Sequence, residues 1–283
     1  MKSDSEPAGP GPVRMDTIER AHLKDPRDAS HVIHRYEAEP EFRDLLQRFW
    51  IPVWSVPPGA AAPQKVLQYP VSLIVVAADY ARFYGVVSGL STTTLSGDGW
   101  AVGLMCAPSA GYLLTGAPMA AHTDRFVDVS EVLGDAGRVL TDQVRTAMSA
   151  DPGSPAAHQA AMDAFSAVLR RYLPVDTEGH LVNRVVAFVE SRSDVTRVAQ
   201  VCAEFDLSER ALQRLVHRRI GLTPKWLIQR RRLQEAAERL RTRSTPLGDV
   251  AAVLGYADQP HFIRDFSRVT AMTPGEFAAL HGR

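Results

Sequence analysis

The chain has 283 residues, which at about 100 to 200 residues per domain predicts two domains and excludes a mini-protein. Hydrophobic content of 45% and charged content of 23% are those of a globular chain, neither fibrous nor intrinsically disordered. The zero net charge hides an asymmetry: residues 180–283 hold 17 Lys and Arg against 11 Asp and Glu, and residues 1–179 hold 15 against 21. The C-terminal part is therefore the one suited to a polyanion. Only four of the 32 basic residues are Lys, so the skew between the halves carries the argument and Arg usage as such does not.

In chain order, residues 1–28 are rich in Pro, Gly and charge without apolar periodicity, which predicts a disordered tail. Between about 41 and 128, β-type runs at 49–56, 65–69, 71–77, 81–87, 100–106, 112–115 and 125–129 alternate with turn glycines, the pattern of an antiparallel barrel or sandwich. Asp128 and Glu131 form an N-terminal capping box for a helix reaching about Met148. A second helix runs through Ala161, Phe165, Val168, Leu169, Tyr172 and Leu173, and the segment LPVDTEG (173–179) marks a boundary. The expected class is α+β in two domains. Residues 29–175 form a barrel- or sandwich-like sensor or dimerisation domain, β-rich to about 128 and helical after it. Residues 179–283 form an all-α domain.

Within that second domain the chain repeats itself at an offset of 50 residues: Leu212 matches Phe262, Arg214 matches Arg264, Val216 matches Phe266, Arg218 matches Arg268, and Thr223-Pro224 matches Thr273-Pro274. Each copy reads as helix, tight turn, helix. In the first, 198–205 is apolar at helical spacing, Asp206-Leu207 makes the turn and Ser208 caps a helix to about Ile220. In the second, Pro246 opens 247–254, Gly255-Tyr256 turns the chain and Asp258 caps a helix to about Thr270. Such a pair, with Arg and Gln on its second helix, is the helix-turn-helix that enters a major groove.

In the first recognition helix Leu212, Leu215 and Val216 make the inward stripe. Arg210, Arg214 and Arg218 follow i, i+4, i+8 on another face, with Gln213 and His217 beside them. In the second, Phe262, Phe266 and Val269 point inward and leave Gln259, Ile263, Arg264 and Arg268 outside. Arg and Gln suit guanine and adenine edges. Between the copies, Thr223-Pro224 opens a connector helix to about Arg243, whose ~30 Å length approaches the ~34 Å turn of DNA. Its Arg230, Arg231, Arg232, Arg239, Arg241 and Arg243 are either phosphate contacts or solvated positions.

LSERALQRLVHRRIGLTP (207–224) and VLGYADQPHFIRDFSRVTAMTP (253–274) together resemble the DNA-binding region of AraC/XylS-type bacterial transcription regulators. The resemblance covers about 100 residues and implies double-stranded operator DNA and RNA polymerase as partners. It also implies base-contacting positions at Arg210, Gln213 and Arg214, with Glu209 at the helix start, and at Gln259, Pro260, Ile263 and Arg264. Asp206 stands where the first turn often has Gly, Ala271 replaces the usual Gly before the final Thr-Pro, and Ala278 sits where Arg is common. Residues 49–140, with GLMCAPSAGYLLTG and HTDRFVDVSEVLG, resemble a sensor-like domain of unknown function found ahead of some AraC-type regions.

Three functions are weighed. The first is a regulator whose N-terminal domain senses a small molecule. The second is a regulator whose N-terminal domain only dimerises, giving a homodimer, or binds a protein partner. The third is an enzyme with its active site in the β-domain. The third needs a metal cluster or a nucleophile elbow, and between 49 and 128 the only His is His122. His31-x-x-His34 has helical ligand spacing but lacks further partners. No metal, cofactor or catalytic residue is therefore expected. Trp50, Trp54, Tyr69, Tyr84, Trp100 and Tyr112 read as core, and Cys106 and Cys202 as buried, reduced thiols. No stretch reaches the ~18 apolar residues of a membrane span and the N-terminus has no signal-peptide core, so a cytoplasmic protein without membrane contact is expected.

Overall fold

The computed structural model describes residues 21–23, 27–241 and 246–281. Strands β1 (His31–Glu37), β2 (Leu46–Val56), β4 (Leu73–Ala77), β5 (Ala81–Tyr84), β7 (Gly97–Cys106) and β8 (Phe126–Asp128) form one antiparallel sheet in the order β1-β2-β7-β4-β5-β8. Strands β3 (Ala62–Val66) and β6 (Ser91–Leu95) pair as a separate two-stranded ribbon. The two-residue period of strands sorts the side chains. Phe49, Ile51, Ile74, Val76, Val102 and Leu104 face a helical layer and share a core with Leu140, Val144, Phe165 and Leu169. Trp50, Trp54, Leu73, Val75, Ala101 and Met105 lie on the opposite face, toward the ribbon. A Cβ on Gly99 would stand 2.4 Å from the Trp54 ring, and one on Gly103 2.3 Å from the Trp50 ring, so glycine at these two sites lets both indoles lie flat across β7.

The helical layer consists of α1 (Ala110–Thr115), α2 (Val129–Leu133), α3 (Asp135–Met148) and α4 (Pro155–Leu169). Asp128 and Glu131 do form a capping box, but Gly134 at φ 64° breaks the expected single helix into α2 and α3. The run 112–115, read as a strand, belongs to α1, because a short apolar run has no period of its own and Gly116 at φ 64° closes a helical turn. Strands β1 and β6 escaped the sequence reading, and β3 lies at 62–66 where 65–69 was expected. His31 and His34 sit on strand β1, not on a helix, so their side chains leave by opposite faces. His31 reaches the ribbon side, while His34 stacks on His158 with ring centroids 4.7 Å apart. Of the expected tail, residues 1–20 and 24–26 lie outside the described residues. Ala21 and Leu23 within it are packed, at 1% and 5% exposure, because Leu23 finds an apolar seat described below.

The C-terminal half comprises α5 (Thr177–Ser191), α6 (Val198–Phe205), α7 (Glu209–Ile220), α8 (Pro224–Arg241), α9 (Leu247–Val253), α10 (Gln259–Thr270) and α11 (Pro274–His281). Helix pairs α6/α7 and α9/α10 are the two helix-turn-helix units, and α8 is the connector. Val182, Val186, Leu212, Val216 and Leu227 form the first unit's core; Leu233, Leu240, Phe262, Phe266 and Phe277 form the second's. Both cores take in residues of the sheet domain: Val86 in the first, Leu23, Leu67 and Leu90 in the second.

Candidate nucleic-acid interface

Each recognition helix is started and stopped by local chemistry. Asp206 takes the left-handed conformation at φ 49° to end α6, and the Ser208 side chain accepts from the Ala211 N–H to open α7. The Asp258 side chain likewise accepts from the His261 N–H at 2.7 Å to open α10, and Gly255 at φ 72° makes the turn before it. Pro246 is the residue before α9 and not its first member. α10 ends at Ala271, which is held at φ 57° where an L side chain costs roughly 1 kcal/mol. Ala271→Gly should therefore raise stability by about 1 kcal/mol, read as an upward shift in the urea midpoint with unchanged slope.

The capped ends present their side chains to solvent. Ser208, Glu209, Arg210, Gln213 and Arg214 on α7 are exposed, as are Gln259, Pro260, Arg264 and Arg268 on α10, with Ile263 half-buried between them. The Gln213 amide donates to Glu209 at 3.2 Å, which lays two of these groups side by side. Leu212, Leu215, Val216, Phe262 and Phe266 are buried, as their spacing required. Asp265 holds the second reader to the connector by accepting from Gln229 at 2.7 Å, and it also accepts from Arg268 at 3.0 Å. Over its 18 residues α8 spans ~27 Å.

One residue expected on the DNA-facing side of α7 is engaged within the protein. Arg218 turns from the Arg210/Arg214 face and pairs with Glu178 at the start of α5, its guanidinium 5.1 Å from the centre of the Tyr112 ring on α1. Its neighbour Arg219, unremarked in the sequence, is buried under the same ring at 4.5 Å and binds both Asp176 and Glu178. Burial pushes the Asp176 carboxyl up, but hydrogen bonds from Arg219 and Gly179 and the two Arg charges outweigh it and hold the group below its usual range. The connector arginines are likewise spoken for. Arg230, 3% exposed, donates to the carbonyls of Ser88 at 2.6 Å and Gly89 at 2.9 Å. Burial pulls it down to about 10 against the charge of Asp124. Arg231 donates to the Val195 carbonyl at 2.8 Å, Arg239 pairs with Glu235, Arg241 donates to the His22 carbonyl at 2.7 Å, and Arg232 lies over the Tyr256 ring at 3.8 Å. Arg243 lies outside the described residues. The connector thus buries Arg230 and Arg231 and engages its half-buried Arg232, Arg239 and Arg241 within the protein.

The sheet-domain residues at this junction gave no sequence signal. Trp226 donates to the Ser88 carbonyl at 3.0 Å, Ser88 is itself held by both carboxylate oxygens of Asp124, and Thr123 donates to the Gly221 carbonyl at 3.1 Å. A Cβ on Gly221 would meet the Thr123 hydroxyl at 2.3 Å. Among the described residues no three His, Cys, Asp or Glu side chains gather as a metal site, and no helix is long and apolar enough to cross a membrane. Cys106 and Cys202 are free; burial drives the Cys106 thiol up to about 12, and Cys202 is only half-buried.

Two capped helices with open Arg and Gln faces, set on one connector helix behind a sheet domain, define a double helix-turn-helix protein. Residues 201–279 match the family of helix-turn-helix domains, and residues 34–128 match a domain of unknown function, DUF6597. The C-terminal match thus lies behind the DUF6597 match, in the order sheet domain then helix-turn-helix domain. Among curated proteins, it is 32% identical over 94 residues to the transcriptional activator RhaS of Escherichia coli, covering 33% of this chain and 34% of that one. It is 26% identical over 105 residues to the transcriptional regulator MtrA of Neisseria gonorrhoeae, covering 37% and 34%. The chain spans about a third of the length of these relatives. A solved structure of ToxT from Vibrio cholerae, bound to (E)-4-(8-methylnaphthalen-1-yl)but-3-enoic acid, is 14% identical over 89% of this chain and 99% of that one, with a TM-score of 0.40.

Proposed function

We propose that the protein is a DNA-binding transcription regulator that reads two adjacent major-groove segments of an operator with α7 and α10, and that its residues 29–175 control the reading by residues 179–283. The observation that carries this is the pair of capped recognition helices whose N-terminal turns are solvent-exposed and carry Arg210, Gln213 and Arg214 on one and Gln259 and Arg264 on the other. Arg218 is left out of the base-reading set because it is committed to Glu178. Control fits the packing: the sheet domain supplies apolar residues to both reader cores and polar contacts to the connector between them. RNA polymerase is the further partner of such a regulator, and no catalytic step is assigned.

Selection of the full-length protein on randomised duplexes should yield a site with two half-sites about one helical turn apart. Arg210→Ala, Gln213→Ala or Arg264→Ala should then each cost about 1 to 3 kcal/mol at one position of that site and relax the base preference there. Unchanged preference in all three variants would falsify the assignment of readers.

A further inference from the structure

The sheet face opposite the helical layer does not close on the β3–β6 ribbon. Between them lies a cavity of about 230 Å³ whose walls include Trp50, Trp54, Tyr80 and Tyr84. Trp50, Trp54, Tyr69 and Tyr84, which the sequence assigned to core, therefore line a cavity. Among the described residues the lining contains no Asp or Glu. Its cationic side chains are engaged: His31 lies 3.5 Å from Asp28, and His22 and Arg35 have partners of their own. A carboxylate ligand would find no uncommitted cation, and an ammonium ligand would meet like charge. The wall also holds an unsatisfied acceptor, the Gln68 side-chain carbonyl. Gln68, 9% exposed, donates its amide nitrogen to Ser91 at 3.2 Å, which fixes the plane of the amide, while its carbonyl oxygen has no partner. Such an acceptor costs free energy until a donor reaches it.

We propose that this cavity binds a compact, neutral, aromatic molecule that stacks among the indoles and phenols and donates one hydrogen bond to Gln68 Oε1. The volume is below the usual range for drug-sized ligands, which limits the ligand to one or two rings. The proposal rests on the N-terminal domain being the sensor of the regulator described above.

Indole, a bicyclic ring with a single N–H donor, is the probe, titrated calorimetrically into the full-length protein without DNA. Binding with a dissociation constant of ~10 to 100 μM is expected for a ligand of this size. 1-Methylindole, which lacks the donor, should bind about tenfold more weakly, the effect of one hydrogen bond. Indole-3-carboxylate and D-glucose should be weaker still. Gln68→Leu should erase the difference between indole and 1-methylindole while keeping 1-methylindole binding. Thr93→Trp, at an exposed position of β6 that lines the cavity, should abolish both, with circular dichroism as the check on folding. Equal binding of indole and 1-methylindole to the unaltered protein, preference for the carboxylate or the sugar, or no binding at millimolar probe would each overturn the proposal. Because no DNA is present, these outcomes are independent of whether the operator is read as proposed.

Discussion

Arg219→Met should cost about 3 kcal/mol of stability, the low end for breaking a buried ion pair, because Asp176 and Glu178 are partly exposed and can rehydrate when the cation is gone. The side chain of Arg219, at the end of the first recognition helix, is 1% exposed and touches the boundary segment and Tyr112 of the sheet domain at once. The variant should also change the acid limb of stability. The Asp176 carboxyl is held below its usual value of 3.8 in the folded protein, so its contribution is complete above that value and is lost as the pH falls through and below it. Unfolding by urea at pH 7 and pH 3 should show the difference between Arg219→Met and the natural sequence shrinking at the lower pH. An equal penalty at both values would sink this account of the cluster.

Arg230→Met should destabilise the full-length protein by about 2 kcal/mol, since it strips the Gly89 carbonyl of its donor and leaves the Ser88 carbonyl to Trp226 alone. It should leave the salt dependence of DNA binding unaltered. Each phosphate contact adds about 0.9 to the slope of log affinity against log salt, and a side chain buried against Ser88 and Gly89 contributes none of it. A slope reduced by about 0.9 in this variant would restore Arg230 to the phosphate-binding set. Increased amide exchange in residues 85–90 and 221–230 is the accompanying sign of a loosened junction.

The C-terminal motifs were legible because every decision in them is local. Ser208 and Asp258 cap, Asp206 and Gly255 turn, and the three- and four-residue spacing of Leu212, Leu215 and Val216 chooses a face. What periodicity could not show is what covers a face, and there the reading of charges failed. Arg218 continues the Arg210/Arg214 ladder in sequence, yet it lies at the end of α7 where Glu178 and Tyr112 arrive from distant segments. Arg230 and Arg231 looked like a basic run on an open helix, yet both are buried, Arg230 under a loop about 140 residues earlier in the chain and Arg231 against the Val195 carbonyl and Glu235. In the sheet domain the apolar runs of β2, β4 and β7 were visible, but β6 is STTTL, too polar to register as a strand. Without β6 and its ribbon partner the aromatic face of the sheet had nothing to stand away from, and so read as core.

Leu23, Leu67 and Leu90 complete the hydrophobic core of the second helix-turn-helix unit, and Val86 that of the first. The reader of this protein is thus not interchangeable cargo. A chimera that joins residues 179–283 to an unrelated sensor would present the uncovered flank of α8 to water and require the new partner to offer leucines at matching places, whereas on the proposed function exchanging the exposed residues of α7 and α10 is expected to retarget the protein without touching that seam. Engineering of its specificity belongs on the two recognition helices and not at the domain boundary.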